Sequence, residues 1–295
     1  VAIGKFAGQN NQAANSVAIG NEAGINDQQQ ESVAIGVVAG RTSQGFRAIA
    51  IGALSGNTTQ QQEAVAIGFQ AAKYTCMGNS VTIGYQAGLT GQQNFTVAIG
   101  YRAGSSGLQA NSLAIGSNAG FYNQNQSAIA IGNSAGQYVE FGSTNRIAIG
   151  FQAGQTNQRA SAIAIGFQAG QNTQDLNAVA IGFQAGQTRQ FTNAIAIGYQ
   201  AGQTNQGGVS IAIGYQSGRF SQLADSISIG FQSGQTNQRT SAISIGYQAG
   251  QIIQGSFAIA IGSQAGQNAS DFYAVAIGPS AGQINQGRFA IAIGQ

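Results

Sequence analysis

A branched aliphatic residue, a small residue, an isoleucine and a glycine recur together along the whole chain, from Val1-Ala2-Ile3-Gly4 to Ile291-Ala292-Ile293-Gly294. The group returns at 17, 33, 49, 65, 81, 97, 113 and 129, then at 147, 163, 179, 195, 211, 227, 243, 259, 275 and 291. The period is 16, except for an irregular coil of 18 residues at 129–146. Position 1 is always Val, Ile or Leu and position 3 is always Ile, an alternation that places both on one face of a β-strand, read here as the core face. Position 4 is always Gly, and position 8 is Gly in every complete repeat except the one holding Ala72, as expected at corners that turn tightly or need positive φ. A unit of this length, with short β segments between glycine corners, is too short for a helix pair. It predicts an all-β chain folded as a parallel β-solenoid, one coil per repeat. Eighteen complete repeats and the start of a nineteenth fill residues 1–295, leaving nothing for a second domain. Val1 and Gln295 both fall inside the pattern, so the segment reads as a window of a longer fibre protein. At a parallel strand spacing of about 4.8 Å, the coils would make a rod of roughly 85 to 90 Å.

The repeats sample what each position tolerates. Position 12 is Gln in 14 of the 18 complete repeats, so a ladder of stacked amides is expected, interrupted at Cys76, Leu108, Glu140 and Ser270. Position 2 is Ala in sixteen copies and otherwise Thr82, Ser228 or Ser244. It should project away from the Ile face, yet it never carries a long polar side chain. One reading makes it an interchain seam, with Ala148, Ala164, Ala180, Ala196, Ala212, Ser228 and Ser244 against a second chain. The other places it in a cramped part of a monomeric coil.

The segments Asn15-Ser16-Val17-Ala18-Ile19-Gly20, Asn79-Ser80-Val81-Thr82-Ile83-Gly84 and Asn111-Ser112-Leu113-Ala114-Ile115-Gly116 resemble the YadA-like head repeat of trimeric autotransporter adhesins. Related repeats occur in trimeric fibres of bacteriophages and large DNA viruses, and the version from Ile197 to Gln206 is most similar to the viral type. The resemblance covers the whole window. It implies a left-handed β-roll in a homotrimer, an extracellular shaft or head on a virion or cell surface that makes host contacts.

Composition narrows the chemistry further. Only 19 residues are charged (11 Lys+Arg, 8 Asp+Glu), and there is no His or Trp and a single Cys and Met. A collagen-like helix is excluded because Pro occurs once. Without His, imidazole acid/base catalysis and His or multi-Cys metal sites are absent, and the carboxylates lie in separate coils. No enzyme, cofactor or metal is expected. Eleven scattered cations make no patch for a phosphate backbone, so nucleic acid is not an expected partner. No run of about 18 apolar residues would insert into a membrane, and no export signal is visible. Position 5 is aromatic in ten of eighteen repeats, in an unbroken row Phe151, Phe167, Phe183, Tyr199, Tyr215, Phe231 and Tyr247. This stripe is either a contact platform for a glycan or receptor, or ladder packing at the coil edge. A Gln row at position 6, from Gln152 to Gln264, reads as another amide ladder. Cys76 reads as a small core filler, and sequons stand at Asn57, Asn94, Asn125 and Asn268. The leading function is a structural fibre segment with itself as partner. The alternatives are a ligand-binding solenoid, for glycan or ice, and a self-assembling extracellular filament.

Overall fold

The computed structural model describes residues 1–139 and 142–294. The chain is an all-β parallel β-solenoid of about 18 turns with a 16-residue repeat, and it divides into two compact units, Val1–Asn145 and Arg146–Gln295. The division falls at the end of the irregular coil.

Within each unit the aliphatic triplets form one parallel sheet. In the first it runs from Ala2–Ile3 to Ile129–Ile131, with Val17 beside Val33 and Ile19 beside Ile35. In the second it runs from Ile147–Ile149 to Ile291–Ile293, with Ala164 beside Ala180. Identical positions pair because every strand meets a copy of itself one repeat away. A second sheet is built from positions 10 to 12. It has nine strands in the second unit, from Thr156–Gln158 to Ile284–Gln286. In the first unit it is split into a five-stranded piece ending at Thr75–Cys76 and the pair Ser106–Leu108 and Tyr122–Gln124, joined only by isolated bridges.

The strands face the opposite way from the expectation. Position 2 points into the coil: Ala164, Ala180 and Ala196 are fully buried, as are Ser228 and Ser244, whereas the aliphatics at positions 1 and 3 are half-buried and face outward. Geometry dictates this. A Cβ placed on Gly170 would lie 3.2 Å from the Cβ of Ala164, so even one methyl more would crowd the interior and an isoleucine at position 2 would not fit. The interior is therefore lined by Ala at positions 2 and 7, Ala or Ser at 16, and the Gln side chains at 12. Those glutamines act as crossbeams. Gln174 Nε2 donates across the coil to the carbonyls of Ile163 (2.7 Å) and Ala178 (3.1 Å) and to Gln190 Oε1 of the next coil (3.1 Å). A core with so little aliphatic volume is held largely by satisfied buried amides.

The glycine corners take the conformations anticipated for them. Gly166 has φ 131° and Gly170 φ 51°, and a Cβ on Gly166 would sit 2.4 Å from the carbonyl oxygen of Gly182 in the next coil. Positions 6, 11 and 15 are also left-handed, as at Gln168, Thr173 and Asn177, which the glycine pattern did not reveal.

Interruptions of the position-12 ladder leave specific marks. Gln124 follows Leu108, and Gln286 follows Ser270; the amide oxygen of each is buried without a donor among the described residues, as is that of Gln158, and as is that of Gln28, where the preceding Gln12 amide turns to the Val1 carbonyl instead. The break expected at Glu140 lies outside the described residues. After Cys76 the defect is repaired, because the Thr96 hydroxyl donates to Gln92 Oε1 at 3.2 Å. Cys76 is itself fully buried, as expected of a core filler, and burial pushes its thiol up to about 11. Arg146, at the place of a small residue in other coils, is also fully buried, with no guanidinium nitrogen partnered among the described residues, and desolvation lowers it to about 9.

Candidate functional site

Three surface features repeat coil after coil. The first is the aliphatic ribbon. With position 2 turned inward, the strand alternation forces positions 1 and 3 outward, and Ile229, Ile245, Ile261 and Ile277 are each more than a third exposed. No charged residue occurs at positions 1 to 4 in any repeat. Inside a coil, lack of charge follows from burial; on this face it does not. The proposed seam residues Ala148, Ala164, Ala180, Ala196, Ala212, Ser228 and Ser244 are all at 0% exposure within their own coils. They cannot touch another chain, and of the two sequence readings the cramped coil is the one the structure supports.

The second feature is the aromatic column. Phe151, Phe167, Phe183, Tyr199, Tyr215, Phe231 and Tyr247 stack with centroids 4.9 to 5.2 Å apart and planes within 12°. The strand spacing of about 4.8 Å sets this separation. Each ring is 39 to 50% exposed, but its faces lie against its neighbours and it shows solvent an edge. A sugar packs its C–H face on an aromatic face, so the column is poorly suited as a saccharide platform. Two shorter columns accompany it: Phe69, Tyr85 and Tyr101, which belong to the ten aromatic residues counted at position 5, and Phe257, Tyr273 and Phe289 at position 15, which escaped the sequence reading. The 16-residue spacing of the latter was visible in the sequence.

The third feature is a double amide ladder beside the column. Gln168 donates to Gln152 at 2.9 Å, and Gln184 to Gln168 at 3.0 Å. Position 9 adds a second row: Gln187 donates to both Gln168 and Gln171 at 3.1 Å. These amides give their protons to the preceding coil, whereas the buried position-12 amides give theirs to the following one.

Acid/base groups form no comparable array. Arg47 bridges Glu31 and Glu63 on an exposed edge, at 2.8 and 3.8 Å. Arg159 pairs with Asp175 at 3.1 Å. Partial burial would raise the Asp175 carboxyl, but the Leu176 N–H, Thr192 and Arg159 outweigh it and hold the group low. Among the described residues no three His, Cys, Asp or Glu side chains gather as metal ligands. Of the sequons, Asn94 is exposed, Asn57 and Asn268 are half-buried, and Asn125 is buried. No protein-family model matches the chain, and no curated protein is significantly similar to it.

Proposed function

We propose that this chain is a shaft or head segment of a homotrimeric extracellular fibre, carried on a virion or cell surface, whose work is reach and attachment rather than catalysis. The uncharged Ile/Val ribbon carries the reading. A flat parallel sheet face of β-branched residues with no Lys or Glu to interrupt it is an association surface in water. A second and third copy with the same 16-residue repeat present a matching face to cover it. The resemblance of the Val-Ala-Ile-Gly segments to trimeric fibre repeats supports three copies. The partner surface is thus the Ile face, not the Ala positions.

The test is the mass of the purified chain by light scattering, beside a variant with Ile165, Ile181 and Ile197 changed to Glu. The expected result is a wild-type mass of three chains, falling to one in the variant while its circular dichroism keeps the β signature. A wild-type monomer would overturn the proposal.

A further inference from the structure

Away from the ribbon and the columns, the first unit has a cleft of about 520 Å³ whose lining is uncharged and rich in amides. It lies on the corner made by positions 13 to 15 of successive coils, where Gln29, Gln61, Gln62, Asn79, Asn94 and Phe95 meet. Three observations distinguish it from the rest of the surface.

The floor is open because of Gly78. Position 14 reads Gln62, Gly78, Asn94 in consecutive coils. Gly78 does not have the left-handed φ of the corner glycines, and a Cβ there would come no closer than 3.3 Å to any atom, the Gln62 carbonyl oxygen, with Asn94 Oδ1 at 3.9 Å. Backbone twist does not demand a glycine at this place, and a Cβ would press only on the Gln62 carbonyl; the effect of the glycine is the gap between two amides. Three of the five amides around the gap are also uncommitted. Elsewhere the surface glutamines tie one another into ladders, but the side chains of Gln29, Gln62 and Asn94 make no hydrogen bond among the described residues. Gln61 Oε1 accepts from the Gly78 N–H at 3.2 Å, and Asn79 Nδ2 donates to Glu63 at 3.1 Å. Finally, Phe95 is 60% exposed and among the described residues stacks on no other ring, so its face is free, as the faces in the columns are not.

We infer that this cleft binds a neutral saccharide. Amides present a donor and an acceptor together, the pairing that adjacent sugar hydroxyls need, and a free phenyl face takes the C–H face of a pyranose. A volume of this size falls in the range of small-ligand sites, roughly 300 to 1,000 Å³. The absence of a lining cation or anion selects against charged sugars. The inference does not depend on the trimer, because the lining residues come from one unit of one chain.

Saturation-transfer NMR on the full chain, produced in bacterial cells so that Asn94 is unglycosylated, tests it. The probes are methyl-β-galactoside, methyl-α-mannoside and N-acetylglucosamine, with glucuronate as the charged comparator. Transfer to the ring protons of at least one neutral probe is expected. It should fall about fivefold or more in Phe95→Ala and in Gln62→Ala, both of which alter exposed or edge side chains and should keep the wild-type circular dichroism. Tyr215→Ala, in the column, should leave it unchanged. No transfer to any neutral probe, equal transfer to glucuronate, or loss in Tyr215→Ala but not in Phe95→Ala would each overturn the inference.

Discussion

At the scale of the residue, the repeat is a set of side chains that fit only in combination. Position 8 must be Gly where position 12 is Gln, because a Cβ on Gly170 would come within 2.7 Å of Gln174 Oε1, an amide pinned by its own hydrogen bonds. The one repeat with Ala at position 8, Ala72, has Cys76 in place of the Gln. The two exceptions are one event: the methyl takes room that the shorter thiol gives up. Gly170→Ala is therefore expected to cost about 2 kcal/mol, part from the left-handed φ and part from the amide. In a Gln174→Cys background it should cost about half that, a coupling that a double-mutant cycle in urea measures. Additive effects would sink the explanation. Cys76 also carries a pH signature. Its thiol moves from 9.0 to about 11 in the folded chain, so its contribution is fully present below pH 9 and is lost as pH rises through about 11. Relative to Cys76→Ser, the wild type is predicted to lose up to about 2 to 3 kcal/mol across that window. Parallel pH profiles for the two proteins would place the thiol in solvent.

At the scale of the strand, a single side-chain choice decides which face is inside. The alternation of positions 1 to 3 was legible in the sequence, and so were the 16-residue period, the corners at Gly4 and Gly8 and the amide ladder. Alternation reports that two residues share a face but not which face is buried. Hydrophobicity argued for the Ile face; the coil's width, so small that even a methyl on the position-8 glycine would crowd the Ala at position 2, argued for the Ala face and won. Small size at position 2 was the available signal, and it admitted a seam as readily as a lumen. The saccharide cleft was illegible because its six principal residues come from four coils and fall at positions 13 to 15, which vary in type from repeat to repeat. The ladder's direction is likewise a property of the folded strand. Since the position-12 amides from Gln158 to Gln238 each donate forward, Gln190→Leu should strand the oxygen of Gln206, as Leu108 leaves that of Gln124 stranded. A loss of about 1 to 3 kcal/mol in urea unfolding is expected, whereas an unchanged midpoint would mean the ladder contributes little.

At the scale of the whole molecule, each coil within a unit packs on near-copies of itself. Removal of residues 179–194, one whole repeat, would bring Gly166 onto Gly198 and Gln174 onto Gln206, the same contacts as before. That deletion is predicted to keep the circular dichroism spectrum and to shift the melting temperature by no more than a few degrees. Removal of 15 residues from the same place, an odd offset, should unfold neighbouring coils, because Ile would then be driven into the space of Ala; equal tolerance of the two deletions would contradict the packing described here. The stacking of Gly166 beneath Gly182 has a consequence for heredity. A gene encoding such a fold can gain or lose whole repeats by unequal recombination without creating a new interface, so lineages can inherit different lengths in quanta of one coil.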